Sequence, residues 1–261
     1  MPLLTITASN RDRLDLNSNI TKFFIKSIQD QTYTDFELLI ADGGSKNYEE
    51  IKSYFETCNS KIPMRIVQLK IGEAFERARL NNVGVRNAKG QYLMCTDVDM
   101  LFMPQFVDTL MKNVGDNFFV ESRTSYIHGW NIEKVYKGEI NLYNNIDVAK
   151  LGKIKKRTTA GGCQCMHINN WNRIRGYNEE YVGWGSEDYD LLSRVKMSGK
   201  IHIRWMGEAP NSIMLFHQPH IKTTAQLKID LAHKLENKKR LGSIKSYQVN
   251  PDGWGGIKDK I

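Results

Sequence analysis

Apolar positions in the first hundred residues follow two alternating spacings. Leu3 to Ala8, Phe36 to Ala41, Arg65 to Leu69 and Gln91 to Thr96 are short β-prone runs of the kind that fill a buried sheet. Between them, Asn19 to Ser27 (Ile20, Phe23, Phe24, then Ile28), Tyr48 to Cys58 and Ala74 to Ala88 (Ala74, Ala78, Val85, Ala88) repeat at helical spacing. Asp42-Gly43-Gly44-Ser45 ends the second strand, and Gly90 closes the third helix. This β-α-β-α-β-α-β order predicts an α/β domain with a mostly parallel sheet flanked by helices. Ligands on such sheets gather outside the carboxyl ends of the strands. The polar clusters at 8–11, 42–45 and 97–99 all follow predicted strands and are expected to converge on one rim.

From about residue 118 the pattern loosens. Phe118 to Ser122 reads as a strand, and 123–158 is polar, ending in the basic run Lys150, Lys153, Lys155, Lys156 and Arg157. An irregular or mobile excursion is expected there. Order returns at Thr159 to Ile168, followed by a helix from Asn169 and a turn at Gly176-Tyr177-Asn178. Gly183-Trp184-Gly185-Ser186-Glu187-Asp188 then leads into an amphipathic helix, Tyr189 to Ser198, with Leu191, Leu192 and Val195 on one side. Ile201 to Trp205 and Ile213 to His217 are strand candidates, and Thr223 to Arg240 is a lysine-rich helix. One domain over 1–220 is expected, with 221–261 as a basic helical extension packed on it.

Length and composition narrow this reading without redirecting it. A chain of 261 residues can bury one sizeable core. Cys58, Cys95, Cys163 and Cys165 lack the paired spacing of a disulfide framework or a zinc site. Cys163 and Cys165, separated by one residue, are expected on opposite faces of a strand. No apolar run is long enough for a membrane span, and no signal peptide is evident, so a reduced, cytoplasmic protein is expected. The net charge is +8, and residues 221–261, with nine Lys/Arg against four Asp/Glu, hold +5 of it. Such a tail is either a solvated helix face or a surface for anionic lipid, charged glycan or nucleic acid.

Four groups of residues carry candidate chemistry. Asp97 and Asp99, one residue apart just after an apolar strand, suit a hard divalent cation that also grips phosphate oxygens. Glu187 and Asp188 stand beside glycines and the Trp184 indole, where a carboxylate can accept a hydroxyl proton next to a stacked sugar ring; the structural alternative is a helix start capped by Ser186. His217 follows a strand and can supply an imidazole to a metal, with His220 as a weaker candidate. Arg77 and Arg79 are candidates for phosphate contact, against the default of exposed helix arginines.

These residues resemble a known family. Thr5-Ile6-Thr7-Ala8-Ser9-Asn10-Arg11, "SIQDQTYTDFELLIADGGS" at 27–45 and "GVRNAKGQYLMCTDVDM" at 84–100 look like the nucleotide-binding half of family 2 glycosyltransferases with a GT-A (Rossmann-like) fold. "GWGSEDYDLLSR" at 183–194 is similar to the acceptor-side motif of β-1,4-galactosyltransferases, polypeptide N-acetylgalactosaminyltransferases and bacterial chondroitin-type polymerases. The resemblance implies a nucleotide-sugar-binding half over 1–100 and an acceptor-binding half over 101–220. Asp42 would read the uracil of a UDP-sugar, with Ala8 and Asn10 lining the same pocket and Arg11, Arg79 and Val98 on the same side of the site. Asp97 would approach the ribose or the transferred sugar, Asp99 would hold Mn²⁺ or Mg²⁺ with His217, and Trp184 would be the sugar platform. Asp188, with Glu187 beside it, would be the base of an inverting displacement, although the related retaining enzymes share a similar motif. Gly43 departs from the second acid of the common DDGS, and Ala8-Ser9 from the usual Thr-Tyr.

The expected activity is metal-dependent transfer from a UDP-sugar to a glycan or glycolipid hydroxyl in polysaccharide or glycoconjugate synthesis. The segment 140–158 is expected to order when the sugar donor binds. The basic tail is expected to allow peripheral contact with the inner face of the membrane, and no nucleic acid partner is expected. Two alternatives stand beside this reading. A nucleotidyltransferase acting on sugar phosphates would use the same paired acids but leaves the Gly-Trp-Gly-Ser-Glu-Asp segment unexplained. A non-catalytic glycan- or polyanion-binding module would use the tail but has no need of strand-end acids.

Overall fold

The computed structural model of the chain describes residues 1–72, 74–127, 129–141, 161–206, 215–220 and 223–256. The basic run at 150–157, and most of the segment expected to order on binding, lie outside the described residues. The first half follows the predicted alternation: β1 (Leu4–Asn10), α1 (Asn19–Gln29), β2 (Phe36–Asp42), α2 (Tyr48–Thr57), β3 (Met64–Gln68), α3 (Arg77–Asn87) and β4 (Tyr92–Asp97). β1 pairs in parallel with β2 and β4, and β2 with β3, so four carboxyl ends open on one rim. Register sets Asn10 opposite Asp42 and Ser9 opposite Asp97, which brings the three polar clusters side by side. α3 begins three residues later than the spacing suggests. The Arg11 guanidinium donates to the carbonyls of Gly72 and Ala74, and this strap holds the segment before α3 as a loop.

Beyond β4 the chain adds β5 (Met100–Phe102), α4 (Phe106–Asn113), β6 (Phe118–Ser122), β7 (Thr124–Tyr126) and α5 (Gly129–Tyr136). The later elements are β8 (Gln164–His167), α6 (Ile168–Ile174), α7 (Glu187–Met197), β9 (His202–Met206), β10 (Leu215–His217) and α8 (Thr224–Leu241). The main sheet has the order β3-β2-β1-β4-β8-β6-β9, parallel except that β8 runs against both neighbours. A second sheet, β5-β10-β7, was not expected. The stretch after residue 122 is likewise not irregular throughout, since β7 and α5 occupy much of it. Strands of three residues are too short to display a period of two, and β7 finds its partner β10 some ninety positions away, so no local pattern announces either. Ile127, Ile132 and Val135 pack with Leu101, Met103 and Phe216 beneath the small sheet.

The main sheet is covered on both faces. On one, Phe24, Ile25 and Ile28 of α1, Ile51 and Phe55 of α2, and Phe106, Val107 and Leu110 of α4 meet Leu4, Ile6, Ala8 and Met94. On the other, Ala78 and Val85 of α3, Trp171 and Ile174 of α6, and Leu191 and Val195 of α7 meet Leu93, Cys95 and Phe119. Cys163 and Cys165 do not take opposite faces. Both enter the first of these clusters, because positions i and i+2 of an extended chain share a side. All four cysteines are free thiols. No helix among the described residues is long and apolar enough to cross a membrane.

Candidate active site

The carboxyl ends of β1 and β2 form a hydrogen-bonded knot. Asp42 is fully buried, and its Oδ1 accepts from the Gly44 and Ser45 amides at 2.9 and 2.8 Å and from Gln68 Nε2 at 3.2 Å. Its Oδ2 accepts from Ser45 Oγ at 2.5 Å and from Asn10 Nδ2 at 2.8 Å. Five donors meet its two oxygens, so Asp42 holds the turn that follows β2. Asn10 serves the other side of the same knot, its Oδ1 accepting from the Arg13 and Leu14 amides. The side chains of Ala8 and Val98 are buried in the core, which leaves only their backbone toward the rim.

Asp99 lies where the main sheet gives way to the small one. β10 runs antiparallel to β5 with His217 opposite Met100, and the Gln218 amide donates to the Asp99 carbonyl at 2.9 Å. This pairing carries both histidines to the acid: His217 Nε2 is 3.6 Å from Asp99 Oδ1, and His220 Nε2 is 3.4 Å from Asp99 Oδ2. One ligand atom from each of the three residues lies within 4.8 Å of the others. Asp99 Oδ1 is buried without a hydrogen bond, an arrangement that a cation would relieve. Burial raises the pKa of Asp99 and the His217 contact opposes this. One carboxylate with two imidazoles fits Mn²⁺ better than Mg²⁺, which prefers oxygen ligands throughout.

Arg77, the first residue of α3, joins the strand-end acids to those of α7. Its Nε donates to Asp97 Oδ1 at 2.7 Å, and its Nη1 to Asp188 Oδ1 at 2.8 Å and to Glu187 Oε1 at 3.2 Å. It is buried, 7% exposed, and not the exposed helix arginine of the default reading. Burial favours its neutral form, but the carboxylates of Asp188, Asp97 and Glu187 outweigh this and raise its pKa well above the ordinary value. In return Asp97, which burial would raise, is held below the usual carboxylate range by Arg77. Asp188 is raised by burial, with Arg77 opposing and Asp97 reinforcing, and Glu187 is pushed up to about 7 by burial and the Asp188 charge. Arg79 turns away from this group and pairs with Glu76 at 3.4 Å.

Two features aim Asp188. Ser186 does not cap α7 through its side chain; its φ of 77° makes it a left-handed turn residue that swings Glu187 and Asp188 into the first helical turn. Gly161, distant in the chain, packs against the other side of the carboxylate: a Cβ there would come within 2.5 Å of Asp188 Oδ2. Further along α7, the buried Arg194 pairs with Asp190 of the same helix at 2.6 Å and donates to the Ile174 carbonyl at 3.1 Å, which ties the helix to the domain.

Behind Asp188 lies an acid that the sequence reading did not single out. Glu121, at the end of β6, is fully buried and accepts from Gln164 Nε2 at 2.9 Å. Burial drives its pKa well above the glutamate range, against the Gln164 hydrogen bond and with the Asp188 charge, which favours its protonated form. An acid with a raised folded-state pKa lowers stability progressively as pH climbs from its unfolded value toward its folded one. Glu121→Gln is therefore expected to match the parent protein in acid and to be the more stable of the two near pH 8. Urea unfolding at the two pH values checks this, and an advantage of the variant over the parent that does not grow with pH would contradict a raised pKa at Glu121.

A cleft of about 320 Å³, lined by Tyr126, Ile127, Trp184, His217, Pro219 and His220, opens beside the acid and histidine cluster. Tyr126 stacks on His217 with ring centres 4.8 Å apart, and Trp184 is 48% exposed at the cleft edge, with Tyr189 nearby in sequence and equally open. The loop carrying Trp184 rests on α8. A Cβ on Gly183 would overlap His233, and Asn237 Nδ2 donates to the Val182 carbonyl at 3.0 Å and to that of Trp184 at 3.5 Å.

The sequence model of the family described as Glycosyl transferase family 2 matches residues 7–171, and that of the N-terminal domain of galactosyltransferase matches residues 145–218. A chondroitin synthase of Escherichia coli is 26% identical over 205 residues, covering 65% of this chain and 29% of that protein. The chain spans between 14% and 39% of the length of the curated relatives it matches. Among solved structures, TarS residues 1–349 of S. aureus in complex with UDP-GlcNAc aligns with a TM-score of 0.60 at 13% identity, over 85% of this chain and 60% of that one. The mannosyltransferase PcManGT of Pyrobaculum calidifontis, in complex with GDP-Man and Mn²⁺, aligns with a TM-score of 0.60 at 14% identity, over 94% and 66%. These neighbours share the GT-A fold, the mostly parallel sheet flanked by helices that the strand pattern and the motif resemblance indicated.

Proposed function

Because the chain belongs to glycosyl transferase family 2, we propose that it moves a sugar from a metal-bound UDP-sugar to a glycan hydroxyl with inversion of configuration. One observation carries this reading: a single guanidinium, that of Arg77, spans Asp97 at the sheet rim and Asp188 at the start of α7. Arg77 thus holds the acid read as the donor-side contact and the acid read as the base within reach of one side chain, which supports a shared site. Residues 1–100 serve the nucleotide-sugar side and 101–220 the acceptor side.

Asp99, His217 and His220 would hold the cation. A divalent ion there neutralises the diphosphate and stabilises it as a leaving group. Asp97 receives a sugar or ribose hydroxyl, while the Asp42–Asn10–Ser45 knot keeps the nucleotide turn in one shape. Trp184 offers a flat apolar face to the acceptor ring. Asp188 accepts the acceptor hydroxyl's proton as that oxygen attacks the anomeric carbon from the face opposite UDP. Arg77 restrains Asp188 through its Oδ1, leaving Oδ2 for the hydroxyl, and the bare α-carbon of Gly161 supplies the room. UDP as the nucleotide is supported by the neighbour holding UDP-GlcNAc; Mn²⁺ is supported by the mannosyltransferase neighbour and by the mixed carboxylate and imidazole set.

The test is a screen of UDP-sugars for Mn²⁺-dependent UDP release with N-acetylhexosamine glycosides as acceptors. Release of pyrophosphate from a nucleoside triphosphate, with none of UDP from any sugar, would transfer the case to a nucleotidyltransferase. In the same system Asp99→Ala is expected to weaken UDP binding in the presence of Mn²⁺ by roughly tenfold or more. Calorimetry with and without the ion reads this directly, and equal affinity in parent and variant would remove Asp99 as a metal ligand.

A further inference from the structure

Helix α8 faces the domain with the side that a surface helix ordinarily shows to water. Asp230 and Asn237 are buried against the body of the protein, Asn237 holds the Val182 and Trp184 carbonyls, and Arg240 Nη1 donates to Glu180 Oε2 at 2.7 Å. Leu227, Leu231 and Leu235, spaced by four and therefore aligned in one row, point outward and are 54–57% exposed. Lys228 and Lys238 are exposed on the same arc of the helix. An ordinary amphipathic helix buries its leucines and shows polar residues on the other side. Here the leucines contribute nothing to the core beneath them, and their position calls for a partner outside the domain.

We propose that this outer face of α8 docks on an anionic lipid surface. The leucine row would enter the boundary between headgroups and acyl chains, while the lysines lay their aliphatic stems along it and lift their ammonium groups to the lipid phosphates. Charge decides between this occupant and a second copy of the chain. The last 41 residues carry +5, and a two-fold contact would set like-charged lysine arcs against each other, whereas an anionic bilayer attracts each of them. The surface is placed for use. Lys234 Nζ lies 5.1 Å from the centre of the Trp184 ring, so the docked face borders the aromatic edge of the cleft. With Trp184 as acceptor platform, a consequence that rests on the function proposed above, the acceptor is a glycan carried at the membrane surface; the docking itself does not depend on that reading.

Co-sedimentation of the full chain with phosphatidylcholine vesicles, with and without phosphatidylglycerol, tests the proposal without any assay of transfer. Binding is expected only to the anionic vesicles and should fall as salt rises. Leu231→Gln with Leu235→Gln, and separately Lys228→Glu with Lys238→Glu, are each expected to weaken it about tenfold or more with an unchanged Tm, because all four side chains are exposed. No binding to either vesicle, equal binding to both, or undiminished binding by the leucine variant would overturn the proposal. So would a concentration-dependent dimer in sedimentation velocity without lipid that the leucine variant abolishes, which would give the face to a second copy.

Discussion

Asp188→Asn is expected to lower kcat by about three orders of magnitude, within the range general bases contribute, while changing sugar-donor affinity by no more than about twofold. The asparagine keeps the shape of the carboxyl group and still accepts from Arg77 Nη1, so the cleft should stay assembled. What it loses is the capacity to take a proton. The drop should appear in kcat and kcat/KM together, because the missing interaction belongs to the transition state alone. Steady-state kinetics beside calorimetry of UDP with Mn²⁺ separates the two effects. Turnover within a few fold of the parent would dismiss Asp188 and turn attention to Glu187, whose pKa of about 7 poises it for proton transfer at neutral pH.

Arg77→Met should have the largest effect on stability, about 3–5 kcal/mol near neutral pH, the usual penalty for removing one partner from a buried ionic group. Asp97, Glu187 and Asp188 would then confront one another with no cation among them. In the variant their folded-state pKa values lie above the unfolded ones, so the folded state binds more protons and stability declines as pH rises through that window. Lowering the pH toward the carboxylate range should return much of the loss. Arg77→Lys should rescue only part of it, since one ammonium cannot reproduce a fork that meets carboxylates on two sides. Urea unfolding across that pH range decides, and a small loss indifferent to pH would show that the three acids tolerate each other unaided.

The arginine illustrates where the sequence could and could not be read. Strands β1 to β4 were legible because each is a buried run bounded by turn residues, and the acids after β4 announced themselves by position. Arg77 and Arg79 look alike at helical spacing; only the tertiary placement of α3 buries one among acids and leaves the other with Glu76. Resemblance alone assigns Asp42 to the nucleotide; the donors that also meet its oxygens come from β1, its own turn and β3, and their joint demand is invisible along the chain. Ser186 has the identity of a helix cap but sits at a positive φ, where its hydroxyl does not reach the helix amides. Glu121 had no local signal beyond an acid ending an apolar strand, and its pairing with Gln164 comes from the antiparallel register of β6 and β8. Short strands β5 and β7 fell below the length at which periodicity speaks, whereas β10 showed itself through the apolar run before His217.

The turn from Asp97 to Asp99 spans the seam between two sheets. Asp97 closes a strand of the large sheet and is tied to Arg77, while Asp99 shares the ladder of the small sheet with the strand bearing His217. Any slip of one layer over the other is therefore registered as a change in spacing between neighbouring carboxylates. Under the function proposed above, an ion held by Asp99, His217 and His220 would sit on the small layer, and a diphosphate bridging it to the large one would act as a clasp: loading the substrate would hold the two layers together, and discharging the nucleotide would release them.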